Sequence, residues 1–430
     1  MKKKYLLFLA LSIIVFLGRS FFSPKQEIIS EVQPSYLWPV RSVDTMKTSR
    51  DKARVRLYDL KFDEEIEKEL LAVKNLGANY VAIDTPYDDE FLPYLKRWVK
   101  QARKTGLKIW FRGNWSSWEG WFDYPKNLTP ERHQAKTAEF IETHPNLFKD
   151  EDIFDPCPEC ENAGFWKQPD DNEKYNEFLR NQRIVLKNSF SKIKRRVHTN
   201  IFSIIGGRAK EVLDKKTLDA LDNLVTIDHY IKNPSSMAEY IDYFSQNFQT
   251  KVLVGEFGAP IPDINGSMDE NQQAIFIDEV FQKLYKNKTD VFGINYNVLS
   301  QGTTKLLNDD GTERQAVGVI KNYFMPGVVK GIVTNTLGDQ LKNIPVKTGD
   351  GLNITATGRQ GHYTIVIPAS TVDIAVGGNK YKTVVQKEVV GRGAEITRDV
   401  VLEPQKIGFI YRIRLTIQNL KKVVMPIPIK

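Results

Sequence analysis

Between residues 53 and 324, short apolar runs alternate with stretches in which apolar residues recur every three to four positions. The first texture is that of buried strands and the second that of amphipathic helices. Strands are predicted at 53–58, 79–84, 107–112, 152–156, 200–205, 224–228, 251–256 and 292–296. Helical patterns lie between them, at 64–76, 88–105, 172–196 and 271–287 among others. Strand–helix alternation of this order and size predicts an α/β fold, a (β/α)8 TIM barrel over residues 51–325. A doubly wound open sheet is the rival. It would carry a glycine-rich phosphate turn after its first strand, and Tyr58-Asp59-Leu60-Lys61 is not one.

After Met325-Pro326-Gly327 the texture changes. Residues 328–403 are rich in Val, Ile, Thr and Gly, with turns such as Thr348-Gly349-Asp350-Gly351 and alternation in Tyr363–Ile367 and Val372–Val376. Short alternating strands with frequent turn signals predict a small all-β sandwich. The segments Gly331-Ile332-Val333-Thr334, Gly361-His362-Tyr363-Thr364 and Tyr381-Lys382-Thr383 make this region resemble the prealbumin-like, carboxypeptidase regulatory-like domains of extracellular proteins. The resemblance implies a spacer or adhesive module and no chemistry. The basic and apolar tail at 404–430 either lies on a membrane surface or is a frayed end.

At the other end, Met1-Lys2-Lys3-Lys4 precedes an almost wholly apolar run from Tyr5 to Gly18. Residues 1–23 therefore read as a signal peptide or an uncleaved membrane anchor, and 24–50 as a polar linker. With the lysines held inside, the rest of the chain is expected outside the cytoplasm, at the cell surface or extracellular.

Composition adds little to fold class: 41% hydrophobic and 27% charged is ordinary for a globular protein. The formal net charge of +8 favours anionic surfaces, membranes or wall polymers. No nucleic-acid motif or concentrated basic stripe is present, so nucleic acid is not an expected partner. Cys157 and Cys160, in Cys-Pro-Glu-Cys, are the only two cysteines. A local loop disulfide, or two free thiols, suits them better than a redox pair or a zinc site, since neither thioredoxin-like surroundings nor a second ligand pair appears. No Gly-x-Ser-x-Gly elbow and no His-Glu-x-x-His spacing occurs, which argues against a serine hydrolase and a zinc protease. No cofactor and no metal is expected.

The strand at 251–256 ends in Gly255-Glu256-Phe257-Gly258, a carboxylate between glycines. Barrel enzymes place catalytic groups at the C-terminal ends of their strands. The fourth strand lies opposite the seventh, and it runs into Asp155-Pro156-Cys157-Pro158-Glu159-Cys160-Glu161. A pair of carboxyl groups flanking a bond is what glycoside hydrolysis requires. After the third strand, Trp115, Trp118 and Trp121 follow Trp110 within twelve residues, four of the chain's seven tryptophans. An indole offers a flat apolar face and one donor, which suits a sugar ring. The alternative is a core cluster beneath a long loop. Arg56, Asp84 and Tyr87 are further residues that could reach the substrate or Glu256.

Residues 53–325 resemble the retaining (β/α)8 glycoside hydrolases, the clan that includes the cellulase-like family 5 enzymes. Gly255-Glu256-Phe257-Gly258 matches the nucleophile motif, Ile227-Asp228-His229-Tyr230 the strand-six motif, and Gly293-Ile294-Asn295-Tyr296-Asn297 the end of strand eight. The resemblance implies Glu256 as nucleophile and Glu159 as acid/base, with Glu161 as the alternative acid. It also implies that His229 or Tyr230 orients Glu256, and that Tyr296 and Asn297 join the three loop tryptophans around substrate. The clan has Asn before its acid/base, where Pro158 and Cys160 stand here. The expected function is an exported, monomeric enzyme cleaving β-linked glycans with retention. The alternative is a surface glycan-binding or adhesion protein whose barrel has lost the chemistry.

Overall fold

The computed structural model describes residues 36–163, 166, 171–378 and 380–424. The signal-like segment at 1–23 lies outside these. Eight parallel strands form one curled sheet in the order β4-β3-β2-β1-β8-β7-β6-β5. They are β1 Val40–Asp44, β2 Tyr80–Ile83, β3 Lys108–Phe111, β4 Ile153–Phe154, β5 Ser203–Ile205, β6 Leu224–Asp228, β7 Lys251–Phe257 and β8 Val291–Tyr296. The two ends of the sheet meet where Ile153 bridges His198 in parallel. Main-chain bonds flank that bridge, from Phe154 N to His198 O at 3.1 Å and from Glu159 N to Ser203 O at 2.8 Å.

Helices cover the outside: α1 Asp63–Asn75, α2 Leu92–Thr105, α3 Pro130–Thr143, α4 Asn172–Lys192, α5 Gly206–Val212, α6 Lys215–Ala220, α7 Ser235–Phe248, α8 Glu270–Lys286 and α9 Gln315–Phe324. Their starts are written in the sequence. Thr129 caps α3, which has Pro130 at its first position, and Asp269 and Gln272 form a reciprocal capping box on α8.

The first strand departs from the expected one. Residues 53–58 are wound in turns, and β1 lies at Val40–Asp44, inside the segment expected to be linker. The alternation at 53–58 is a buried Ala53 and Leu57 beside an exposed Val55 and Tyr58. The true strand has only two apolar residues because its upper inward positions, Ser42 and Asp44, are polar. Arg56 falls in the turns, where it pairs with Asp59 at 2.7 Å rather than reaching the barrel mouth.

Successive side chains of a strand point to opposite faces, so each strand contributes alternate residues to the barrel interior. The lower interior is apolar, built from Val40, Tyr80, Ala82, Trp110, Ile153, Ile201, Leu224 and Leu253. Two residues further along the strands the interior becomes polar and stays buried: Ser42, Asp44, Asp84, Arg112, Asp155, Ser203, Asp228 and Asn295. The opposite face of every strand packs Val, Ile and Phe against the helices.

Beyond Phe324 the chain forms two small sheets. The labels are β9 Gly327–Asn335, β10 Pro345–Thr348, β11 Ile354–Ala356, β12 His362–Ile367, β13 Ser370–Gly378, β14 Tyr381–Val390, β15 Glu395–Thr397 and β16 Val400–Leu402. One sheet runs β11-β10-β13-β14 and the other β12-β9-β15, with β16 also on β9. Most pairs are antiparallel, but β9 takes β15 and β16 in parallel. Val329, Val333, Val346, Ile365, Ile374 and Leu402 fill the space between them. Arg392 ties this sandwich to the barrel, donating to Asn322 Oδ1 at 2.8 Å and Gly318 O at 2.9 Å. A last helix, α10 Phe409–Val424, follows. No helix among the described residues is long and apolar enough to cross a membrane.

Candidate active site

The end of β7 is shaped by two close approaches. A Cβ on Gly255 would lie 2.4 Å from Asp228 Oδ1, and one on Gly258 would lie 1.9 Å from Asn297 O. Only glycine fits either place. Between Ile227 and Asp228 the register of β6 against β7 shifts, so that Asp228 faces Glu256. A bulge of this kind re-aims a side chain, and here Glu256 is turned into the barrel mouth. One carboxylate oxygen of Glu256 lies 3.0 Å from the Arg112 guanidinium. The other accepts a hydrogen bond from the Tyr230 hydroxyl at 2.8 Å.

Arg112 is the hub of the upper interior. It is completely buried, bonds Asp228 at 2.9 Å and Asp44 at 3.3 Å, and donates to Gly255 O at 3.1 Å. Burial alone would lower its pKa. The surrounding Asp228, Glu256, Asp84 and Asp44 outweigh burial, and the guanidinium stays charged. Those carboxyls outnumber it. Burial pushes Asp44, Asp84 and Asp228 above the usual carboxylate range against the pull of Arg112, and it raises Asp155 to about 6.

Across the mouth, Glu159 follows β4. Its backbone takes φ 49°, a left-handed conformation that costs a non-glycine residue about 1–3 kcal/mol. A disulfide between Cys157 and Cys160 closes the loop around it, with Cα atoms 5.2 Å apart. The Glu159 carboxyl accepts from Asn162 Nδ2 at 2.9 Å. Burial first, then the charges of Glu256 and Glu161, raise its pKa to about 8. One carboxylate oxygen from each of Glu159, Asp228 and Glu256 lies within 4.8 Å of the others. Three carboxylates at this spacing resemble a cation cage, but Arg112 already bonds two of them and supplies the positive charge. A second cluster, His133 with Cys157 and Cys160, has metal-like spacing. The disulfide leaves it no thiolate to offer.

Glu159 and Glu256 line a cavity of about 180 Å³ with Arg50, Asp84, Arg112, Glu119, Trp121, Pro158 and Asn162. That is smaller than the about 300–1,000 Å³ of a drug-sized pocket. A larger concavity of about 670 Å³ sits at the N-terminal ends of β4 and β5. Its lining is chiefly basic, and Arg183 and Arg196 there are already paired with Asp222 and Asp150.

Several residues expected at the cleft lie elsewhere. Trp115 and Trp118 are buried. Trp115 packs edge-on to Tyr87 and Phe140 and donates to Thr137 Oγ1 at 3.2 Å. Trp118 stacks on Phe178 and meets His133. Both are core beneath the loop, because α3 and α4 close over them. Trp121 alone of the three lines the cavity, with the Arg50 guanidinium 4.8 Å over its ring. Glu161 is buried away from the mouth, where it accepts from Ile205 N at 2.6 Å and Tyr175 OH at 3.2 Å. The His229 ring rests on Tyr240, and only its main-chain N–H reaches Glu256, at the carbonyl oxygen. Tyr296 points outward from β8 and donates to Thr304 O at 2.8 Å. Asn297 is buried beside the β7 turn, with no hydrogen-bond partner for Nδ2. Asp84 lines the cavity, whereas Tyr87 is buried and donates to Asp155 O at 3.0 Å.

Arg112, Asp228 and Glu119 were not anticipated as site residues. For Arg112 a signal existed: it stands two positions beyond Trp110, so it shares that residue's inward face. Glu119, raised to about 7 chiefly by burial, accepts from Asn114 Nδ2 at 2.5 Å.

No family model and no curated protein matches this chain. Among solved structures it is similar to the endoglucanase Cel5A from Thermotoga maritima, at 15% identity and TM-score 0.45 over 59% of this chain and 89% of that one. It is similar to a family 5 xyloglucanase from Paenibacillus pabuli, at 14% identity and TM-score 0.44 over 60% and 90%. It is also similar to the β-glycosidase BGL167, at 11% identity and TM-score 0.46 over 68% and 96%. At such distances the chemistry has to be read from this chain's own side chains.

Proposed function

We propose that the barrel is a glycoside hydrolase cleaving β-linked glycans by double displacement. The reading rests on one observation: carboxylate oxygens of Glu159 and Glu256, from opposite strand ends, come within 4.8 Å of each other. Retaining enzymes hold their two carboxyl groups about 5–5.5 Å apart, and inverting enzymes about 6.5–9.5 Å. In the first step Glu159, neutral below about pH 8, gives its proton to the glycosidic oxygen. Glu256 attacks the anomeric carbon as that bond breaks. Arg112 and Tyr230 hold the attacking carboxylate in place. In the second step Glu159, now ionised, takes a proton from water, which attacks the same carbon and releases Glu256. Proton and charge are restored.

Export belongs to the same proposal and is supported by residues 1–23 alone. On this reading the sandwich spaces a monomeric barrel from its anchor or substrate. The test is hydrolysis of a panel of glucans, xyloglucan and galactan by the intact chain, with Glu256→Gln as control. A 2-fluoro glycoside should trap a covalent adduct on Glu256, visible by mass spectrometry. Tight binding without hydrolysis or adduct, unchanged in the variant, would overturn the enzyme and leave a glycan-binding barrel.

A further inference from the structure

The tail helix faces the wrong way for a segment surrounded by water. From Pro404 to Lys430 the chain has six Lys and Arg residues and no Asp or Glu. At 100° per residue, Phe409, Ile410, Ile413, Ile417 and Leu420 fall on one stripe about 100° wide. In a water-exposed helix that stripe should pack against the sandwich. Here the opposite side is seated. The Tyr411 hydroxyl pairs with Thr336 Oγ1 at 2.5 Å, and Arg414 grips both oxygens of Asp339 at 2.8 and 3.0 Å. Leu415 and Gln418 on this side are half-buried. The stripe is left outward, with Phe409 78%, Ile410 75%, Ile413 45%, Ile417 49% and Leu420 58% exposed.

We infer that α10 is an interfacial helix that lies on an anionic lipid surface. An apolar stripe flanked by cations fits the boundary between headgroups and acyl chains. Arg412 stands exposed on one flank to meet lipid phosphates, while Arg414 on the other is held by Asp339. A second copy of this chain is a poor occupant. Facing stripes would bring the exposed Arg412 of each copy towards the other copy's basic helix, with no acidic residue in the segment to answer it. The stripe is also too small: about 24 Å by about 10 Å, far below the about 800 Å² per partner of a stable interface. The inference holds whether or not the barrel cleaves glycans.

The experiment places an environment-sensitive fluorophore on the helix of the full chain, through Ile413→Cys. Both native cysteines are buried and disulfide-bonded, so the label goes to the new thiol. Gln418→Cys on the seated side is the reference. The apolar N-terminus can bring the protein to any vesicle, so the readout is the position of the label, not co-sedimentation. Vesicles rich in phosphatidylglycerol should shift the Ile413→Cys emission to the blue and expose it to spin-labelled lipid quenchers, with little change for Gln418→Cys. The shift should need on the order of tenfold more lipid when the vesicles are pure phosphatidylcholine. An unchanged emission on vesicles that carry the protein would overturn the inference. So would a blue shift that grows with protein concentration in the absence of lipid, since a second copy then covers the stripe. Equal response to both lipids would overturn the role of charge.

Discussion

The Tyr230 hydroxyl donates to Glu256 across 2.8 Å, on the oxygen that Arg112 leaves free. Burial and the Glu256 charge hold the phenol's pKa well above its usual value, so it remains a donor throughout the working range. Tyr230→Phe removes one hydrogen bond to a charged group, worth about 1.5–3 kcal/mol. It should lower kcat about 10–100-fold and leave KM nearly unchanged. Steady-state kinetics on a soluble glycan separates the two; an equal rise in KM would assign Tyr230 to substrate binding instead.

Glu159 should set both a rate limit and a stability limit. In the proposed mechanism its acid form is the active one, so activity should fall as pH rises through about 8. The folded state keeps a proton that the unfolded chain releases near its ordinary pKa of 4.5. Stability is therefore lost, not gained, as pH rises between about 4.5 and about 8. At about 1.4 kcal/mol per pKa unit, even half of that shift amounts to about 2 kcal/mol. Glu159→Gln should melt later than the wild type near pH 8 and at about the same temperature near pH 5. It should also lose about 10²–10⁴-fold in activity on ordinary glycans. Aryl glycosides with good leaving groups should suffer far less, since they need no proton.

Arg112 is the only cation touching Asp44, Asp228 and Glu256 among the described residues. Arg112→Met leaves those carboxyls without a counter-charge, a loss of about 3–5 kcal/mol. Urea melts should show the deficit shrinking as pH falls, because protonated carboxyls no longer need the guanidinium. A deficit independent of pH would mean that Arg112 matters for packing alone.

Much of the barrel was legible because strands buried on both faces read as apolar runs, and seven of the eight expected strands overlap the observed ones. The first did not, since two of its three inward positions carry Ser42 and Asp44. The same fact explains the unequal reading of the site. Glu256 announces itself through the glycines its bulge requires. Arg112 and Asp228 stand at the C-terminal ends of β3 and β6, where a single polar residue reads as no more than the end of an apolar run. The tryptophan cluster misled because proximity in sequence does not say which way each indole points. Trp115 and Trp118 turn under α3 and α4, and Trp121 turns to the mouth.

That division has its own test. Trp118→Ala empties a core position and should cost about 3–5 kcal/mol, with glycan affinity altered only through instability. Trp121→Ala should weaken glycan binding about tenfold and move the melting temperature little. Calorimetric titration alongside thermal melts distinguishes the two. The reverse pattern would return Trp118 to the cleft.

Only Pro158 and Glu159 lie inside the ring that Cys157 and Cys160 close. The Glu159 carboxyl thus hangs from a covalent clasp, while Glu256, the nucleophile of the proposed mechanism, sits on a strand that needs none. The two halves of the reaction then have different tolerances to their surroundings. Made where thiols are kept reduced, the chain would fold its barrel and align Glu256, yet leave the donor loosely aimed. It would still open activated aryl glycosides and fail on natural glycans. On the proposed mechanism full competence would need the closed disulfide, and so an oxidising space in which it can form.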